Sequence, residues 1–150
     1  MIRFATAIFL SAALFTTCRN VGRSPLVLES DIWVAIDSDS VRISDPAGSD
    51  SARPSLEFFS DGQLTGYTSC NSFFGNYTTW KADSIARIDI TIEGITMALC
   101  PDNLIEHEYV DRLDRAFSYT VRDRRLSLRD STGATLLLFV PASETHKSHR

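Results

Sequence analysis

The segment Pro54–Tyr77, PSLEFFSDGQLTGYTSCNSFFGNY, decides the fold class. Two strand-like runs flank Asp61-Gly62, a dipeptide suited to the positive-φ positions of a tight hairpin turn. Leu56 and Phe58, with Ser60 next in step, share one face of the first arm. In the second arm Leu64, Gly66 and Thr68 alternate with Gln63, Thr65, Tyr67 and Ser69. The run then reaches Cys70-Asn71, the aromatic pair Phe73-Phe74, Gly75 and Tyr77. The reading is a hairpin followed by a cysteine-anchored corner. Alternation cannot bury both members of Phe58-Phe59, or of Phe73-Phe74, on one face, so one of each pair should turn toward another surface.

Downstream, Ser84–Ile92 repeats with period two. Ile88, Ile90 and Ile92 mark a buried face, with Arg87 and Asp89 on the wet one, and Glu93-Gly94 is expected to break the strand. Ile95–Cys100 follows, up to Pro101. From Asn103 to Ser118 the pattern changes to helical spacing. Asn103 is placed to cap, Glu106 to complete a capping-box-like pair, and Ile105, Tyr109, Leu113, Ala116 and Phe117 form a stripe that packs on a sheet. Glu108 with Arg112, and Asp111 with Arg115, are i,i+4 ion pairs on its flanks. Beyond Tyr119 a three-strand meander turns at Asp123-Arg124 and at Asp130–Gly133, and Pro141 ends it. Residues 142–150 read as a polar tail. Upstream, Asp31–Ile36 has the content of a strand anchored by Trp33. Asp37–Arg53 reads as a hairpin or loop around Val41-Arg42-Ile43. The class is α+β and mainly β: an antiparallel sheet with one packed helix over about 102–118, within a single domain of residues 30–141.

The N-terminus carries its own signal. Met1-Ile2-Arg3 is a short basic start, and Phe4–Phe15 is apolar except for Thr6 and Ser11. Roughly 20 apolar residues are needed to span a bilayer as a helix, so residues 1–17 fit a signal peptide instead. The run ends in Phe15-Thr16-Thr17-Cys18, which resembles a bacterial lipobox with Phe15 and Thr17 in place of the usual residues. Cys18 is then the lipidation site and residues 18–29 a tether. An ordinary secretory cleavage nearby, with Cys18 incidental, is the alternative. Several acyl chains on one cysteine anchor firmly, since each buried methylene contributes about 0.8 kcal/mol. Arg19 is not the aspartate associated with inner-membrane retention, which favours an outer-membrane, periplasm-facing location.

Cys70 and Cys100 lie in what is then an exported domain, where a disulfide is the default. Such a bridge would stabilise by roughly 3–4 kcal/mol in the chain-entropy model. Two free buried thiols are the main alternative; a metal site or redox pair lacks the usual close Cys-x-x-Cys spacing. The formal charge is −4, and removing residues 1–17 takes away only Arg3, leaving −5. A mildly acidic chain offers no broad basic surface, which excludes nucleic acid as a partner.

Trp33-Val34, Pro54-x-Leu56-x-Phe58, Asp61-Gly62 and Gly66 resemble the opening of a META domain, the HslJ-like family. Cys70-Asn71-x-Phe73-Phe74-Gly75-x-Tyr77 and Thr96-Met97-Ala98-x-Cys100-Pro101 continue the likeness. Glu106-x-Glu108-Tyr109, Leu113, Tyr119, Leu126-x-Leu128, Asp130, Gly133 and Phe139 extend it over roughly residues 30–140. The resemblance implies a partly open β-barrel with a packed helix, no enzymatic activity and a link to stress. It makes Asp61, Gly62, Gly66, Asn71, Phe73, Gly75 and Tyr77 architectural. The chain departs from the family pattern at Ser69, where glycine usually precedes the Cys-Asn pair; a positive-φ backbone there would be strained for serine.

Catalytic readings are weak. In Glu106-His107-Glu108, successive helical residues do not share a face. Ser69 has no recognisable nucleophile motif around it, and His146 and His149 sit in the tail. The aromatic cluster of Phe58, Phe59, Phe73, Phe74, Tyr77 and Trp80 reads as core before ligand pocket. The expectation is an envelope lipoprotein without catalytic residues, metal or cofactor, with a membrane contact through Cys18 and an envelope protein as partner. The alternative is a lipid or other small apolar ligand bound in the partly open barrel.

Overall fold

A computed structural model describes residues 27–37, 53–99 and 104–145, with side chains in the last segment described from Glu106 onward. Eight strands follow in chain order: β1 Trp33–Ile36, β2 Ser55–Phe58, β3 Gln63–Tyr67, β4 Ser72–Ala82, β5 Ile85–Ile95, β6 Ser118–Arg122, β7 Arg125–Arg129 and β8 Thr135–Pro141. Each pairs antiparallel with the next, and β8 returns to β1 through Trp33↔Pro141 to Ile36↔Leu138, closing the ring. The ring is uneven. β4 and β5 pair from Phe73↔Ile95 to Ala82↔Ile85, whereas β5 and β6 meet only at Arg87↔Ser118. Helix α1, Leu104–Asp114, is the connection between those two strands.

Alternation decides what fills the interior. Trp33, Leu56, Phe58, Leu64, Ile88, Ile90, Leu126, Leu128, Leu137 and Phe139 point inward and are buried, as the period-two runs require. Trp33 Nε1 donates to the Leu28 carbonyl at 2.7 Å, so the buried indole is satisfied. On the helix, Tyr109 and Leu113 are buried, and Ala116 just beyond it is too. Tyr109 sits between the Phe73 and Phe139 rings and donates its hydroxyl to the Ser55 carbonyl. Burial of that phenol pushes its pKa well above the usual tyrosine value. The helix is thus a plug on one end of the ring.

Several expectations hold. Phe58 and Phe73 are inside while Phe59 and Phe74 are exposed, so each aromatic pair splits. Trp80, on the outer face of β4, is exposed too, and the six-residue aromatic cluster divides equally between core and surface. The pairs Glu108–Arg112 and Asp111–Arg115 form.

Others change. Among Asp61 and Gly62 only the glycine has positive φ, at +87°. The turn closes with Gly62 N–H on the Phe59 carbonyl and Phe59 N–H on Gln63, and Asp61 caps the Gln63 N–H through its carboxylate. An aspartate held this way needs no left-handed backbone. The expected break at Glu93-Gly94 does not occur. β5 runs on to Ile95 because the register shifts beside Phe74/Gly75, pairing Phe74 with Gly94 and Gly75 with Ile92, which absorbs Glu93 as a bulge. The helix stops at Asp114, short of Ser118. Phe117 N–H pairs with the Arg129 carbonyl, drawing the chain into β6 and leaving Phe117 exposed rather than on the buried stripe. Pro141 ends β8, but Ala142–Thr145 forms a short helix, α2, in place of the start of a tail. Ser143 Oγ donates to Asp31 and Arg124 contacts Glu144, fixing α2 to the strands. The expected hairpin or loop around Val41-Arg42-Ile43, the cap Asn103 and the tail histidines lie outside the described residues, as do Cys18 and Cys100.

Candidate functional site

A group of hydrogen-bonded polar side chains lies at the β3–β4 corner. Thr68 and Asn71 are both buried there. Thr68 N–H donates to the Asn71 carbonyl at 2.8 Å, and Asn71 N–H returns to Thr68 Oγ1 at 3.0 Å, closing a four-residue loop. Closing it so tightly gives Ser69 a φ of +91°. The strain anticipated for serine at the family's glycine position is therefore present.

The Asn71 side chain then reaches two other parts of the chain. Its Oδ1 accepts from Ala98 N–H at 2.7 Å and from Thr96 Oγ1 at 2.9 Å. Its Nδ2 donates to Glu106 Oε2 at 2.9 Å. Thr68 Oγ1 lies 2.6 Å from the same carboxylate oxygen. The Glu106 carboxylate, at the start of α1, accepts from two buried donors across the corner. Charge-assisted bonds of this kind are stronger than neutral ones. One asparagine thus ties together the corner, the segment that follows β5 and the first turn of α1.

This network floors a recess of about 340 Å³ lined by Asn71, Ile95–Leu99, Glu106 and His107. The segment above it is unusual. Backbone groups of Thr96 and Ala98 are held from below, so Met97 and Leu99 project outward and are 94 % and 102 % exposed. Phe74 and Ile95 are exposed nearby, with the Phe74 ring lying against Gly94, where a Cβ would come within 2.6 Å of it. In the sequence Met97 and Leu99 stand out only as part of a run toward Pro101. The signal that could have exposed them was the alternation Thr96, Ala98 against Met97, Leu99.

The remaining architectural residues fall where their types are needed. Gly66 lies under the Phe73 ring, and a Cβ on Gly75 would sit 2.0 Å from the Thr91 carbonyl oxygen. Tyr77, at the opposite end of the ring, donates its hydroxyl toward Glu29 and the Phe59 carbonyl, each at 2.8 Å. Burial, with the Glu29 carboxylate adding to it, raises that phenol's pKa well above the ordinary value. Asp130 accepts from the Thr132 hydroxyl and from the Thr132 and Ala134 N–H groups, which together hold its carboxyl below the usual aspartate range. Cys70 lies in the corner loop between Ser69 and Asn71, and Cys100 lies outside the described residues.

No group of three or more His, Cys, Asp and Glu side chains that could hold a metal occurs among the described residues. No helix among them is long and apolar enough to cross a membrane.

Comparison with solved structures places the ring among known folds. A DUF4847-family protein from Bacteroides vulgatus superposes with a TM-score of 0.58 at 14 % identity, covering 76 % of this chain and 94 % of that one. A protein from Burkholderia xenovorans gives 0.55 at 20 % identity, covering 96 % and 100 %. These likenesses speak for the fold alone. None of the curated proteins matches the chain. The META domain model matches residues 27–143, from the turn that receives the Trp33 indole to the first residues of α2, and this chain belongs to the META domain family.

Proposed function

We propose that this protein is a non-enzymatic bacterial envelope lipoprotein, anchored through Cys18 in the outer membrane and facing the periplasm. Its META domain serves a protein-interaction role related to stress. The observation that carries the reading is the apolar group Phe74, Ile95, Met97 and Leu99, presented to solvent on a backbone held rigid by Asn71. Fully exposed Met and Leu side chains on a braced segment are what a protein contact uses, because ordering them costs little extra entropy at binding. A Cys70–Cys100 bridge belongs to the same proposal and would brace the far end of that segment.

Two points favour this over chemistry in the recess. Glu106 is engaged by Thr68 and Asn71, and Glu108 by Arg112, which leaves the Glu-His-Glu run without a convergent acid–base pair. The inward positions of the ring are occupied by large side chains such as Trp33, Phe58 and Phe139, which favours a surface contact over a ligand inside the barrel.

The test places a photo-cross-linking residue at Leu99, and separately at Thr132 in the β7–β8 turn, in the full chain expressed in a bacterial envelope. A defined adduct from position 99, absent from position 132 and lost with Met97→Asp, supports the reading. Equal adducts from both positions, or none from 99, overturns it. Acyl mass on Cys18, and release of Cys18→Ser from membranes, test the anchor separately.

A further inference from the structure

We propose that the end of the ring opposite the helix is a membrane-facing surface that rests Trp80 and Ile85 against the lipid headgroups. The inference rests on the Cys18 anchor proposed above.

The topology defines that end. The β2–β3 turn, the β4–β5 tip, the β6–β7 turn and α2 all lie there, while α1 and the Asn71 corner cap the other. The chain enters at the same end: Glu29 meets the Tyr77 hydroxyl, which in turn meets the Phe59 carbonyl of the β2–β3 turn. Ala142 N–H, opening α2, donates to the Ile32 carbonyl at 2.7 Å. Residues 19–26 separate a lipid at Cys18 from Val27. Those residues reach about 30 Å at most. β4 alone, at eleven residues, is of similar length. Such a leash keeps the entry end within reach of the bilayer, and the side chains at that end then select the face that turns to it.

The side chains there suit such a surface. β4 and β5 continue past the point where β3 stops pairing, at Gln63↔Asn76, so the far part of β4 has no β3 neighbour. On its outer face Trp80 stands opposite Arg87, and the Arg87 guanidinium lies 4.3 Å from the centre of the Phe117 ring. Ile85, paired with Ala82, continues the apolar strip. Trp80 and Ile85 are 46 % and 47 % exposed. An indole beside an arginine is matched to the interface, where the ring lies among headgroups and the cation meets phosphate. Lys81 adds a second cation, and Asp83 and Asp89 keep the tip from entering the hydrocarbon. The contact orients the domain, while the anchor supplies the affinity by making it intramolecular.

The chain has two tryptophans, and Trp33 is fully buried, so the emission lost in Trp80→Phe reports Trp80 alone. The experiment reconstitutes the acylated full chain in vesicles whose acyl chains carry bromine near the headgroup. Flotation with the vesicles establishes the anchor. The expected result is loss of the Trp80 emission to bromine and its protection from aqueous iodide. A second variant, Met97→Trp in the Trp80→Phe background, should remain open to iodide. A floated protein whose Trp80 is quenched by iodide and spared by bromine overturns the orientation while leaving the anchor intact. Quenching by bromine at position 97 overturns it as well. A chain that does not float fails at the anchor and takes this inference with it.

Discussion

Asn71 Nδ2 donates to Glu106 Oε2 at 2.9 Å, joining a corner between two strands to a helix 35 residues later. The asparagine is buried and its carbonyl oxygen is also occupied, by Thr96 and Ala98. Replacing it strands two donors, the Thr96 hydroxyl and the Ala98 N–H, and takes one donor away from the Glu106 carboxylate. Asn71→Ala is expected to lose about 3 kcal/mol in urea unfolding, since each orphaned buried group costs about 1–3 kcal/mol. Glu106→Ala should cost less, about 1–2 kcal/mol, because water can reach a part-buried carboxylate site. If the two single losses add fully in the double variant, the network coupling is absent.

Ser69 holds φ at +91° to let Thr68 and Asn71 close on each other. Glycine adopts that backbone without the Cβ clash, at some entropic cost in the unfolded chain. Ser69→Gly should therefore raise stability by about 1 kcal/mol, and Ser69→Val should lower it by at least as much. A thermal melt reads both, and an unchanged midpoint for Ser69→Gly contradicts the strain.

Gly75 is a matter of space. A Cβ there would sit 2.0 Å from the Thr91 carbonyl oxygen and 3.0 Å from Ile92 Cα, both backbone atoms of the paired strand. Gly75→Ala must push β4 and β5 apart, at a cost of about 3 kcal/mol or more. Gly133→Ala is the comparison. Nothing lies within 4 Å of its Cβ position, but φ is +89°, so only the backbone term of about 1 kcal/mol applies. Denaturant midpoints should separate the two.

The pH dependence follows from three groups. Hydrogen bonds from the Thr132 hydroxyl, then from backbone N–H groups, lower the Asp130 pKa in the fold. The unfolded chain thus takes up the proton first, and this contribution is present above the unfolded value, near 3.8, and is lost as pH falls through the folded one. Tyr109, by burial, and Tyr77, by burial and Glu29, have raised values. Their contribution is full below pH 10.0, the ordinary tyrosine value, and falls as pH rises beyond it, because only the unfolded chain ionises there. Stability against pH should be flat in the middle and fall at both ends. Asp130→Asn should flatten the acid limb and Tyr109→Phe the alkaline limb, while absorbance at the tyrosinate band should rise together with unfolding.

Local chemistry made much of this protein legible from its residues. The alternation of Leu56, Phe58 and Leu64, and of Ile88 and Ile90, fixes which face is buried, because successive side chains of a strand point to opposite sides. The Glu108–Arg112 pair follows from helical spacing alone. The ordered set of short motifs carried the family. What tertiary structure decided is where long-range partners compete with local ones. Glu106 sits at the helix start, where local spacing offers it a capping role, and two buried donors from the β3–β4 corner reach its carboxylate, since leaving such donors unpaired is costly. Phe117 has the spacing for the helix stripe, but pairing of its N–H with Arg129 draws it into the ring and outward. The bulge at Glu93 depends on Phe74 meeting Gly94 across the strands. Closure of β8 on β1 depends on residues a hundred positions apart, and no local pattern encodes a register between segments that meet only in the folded chain.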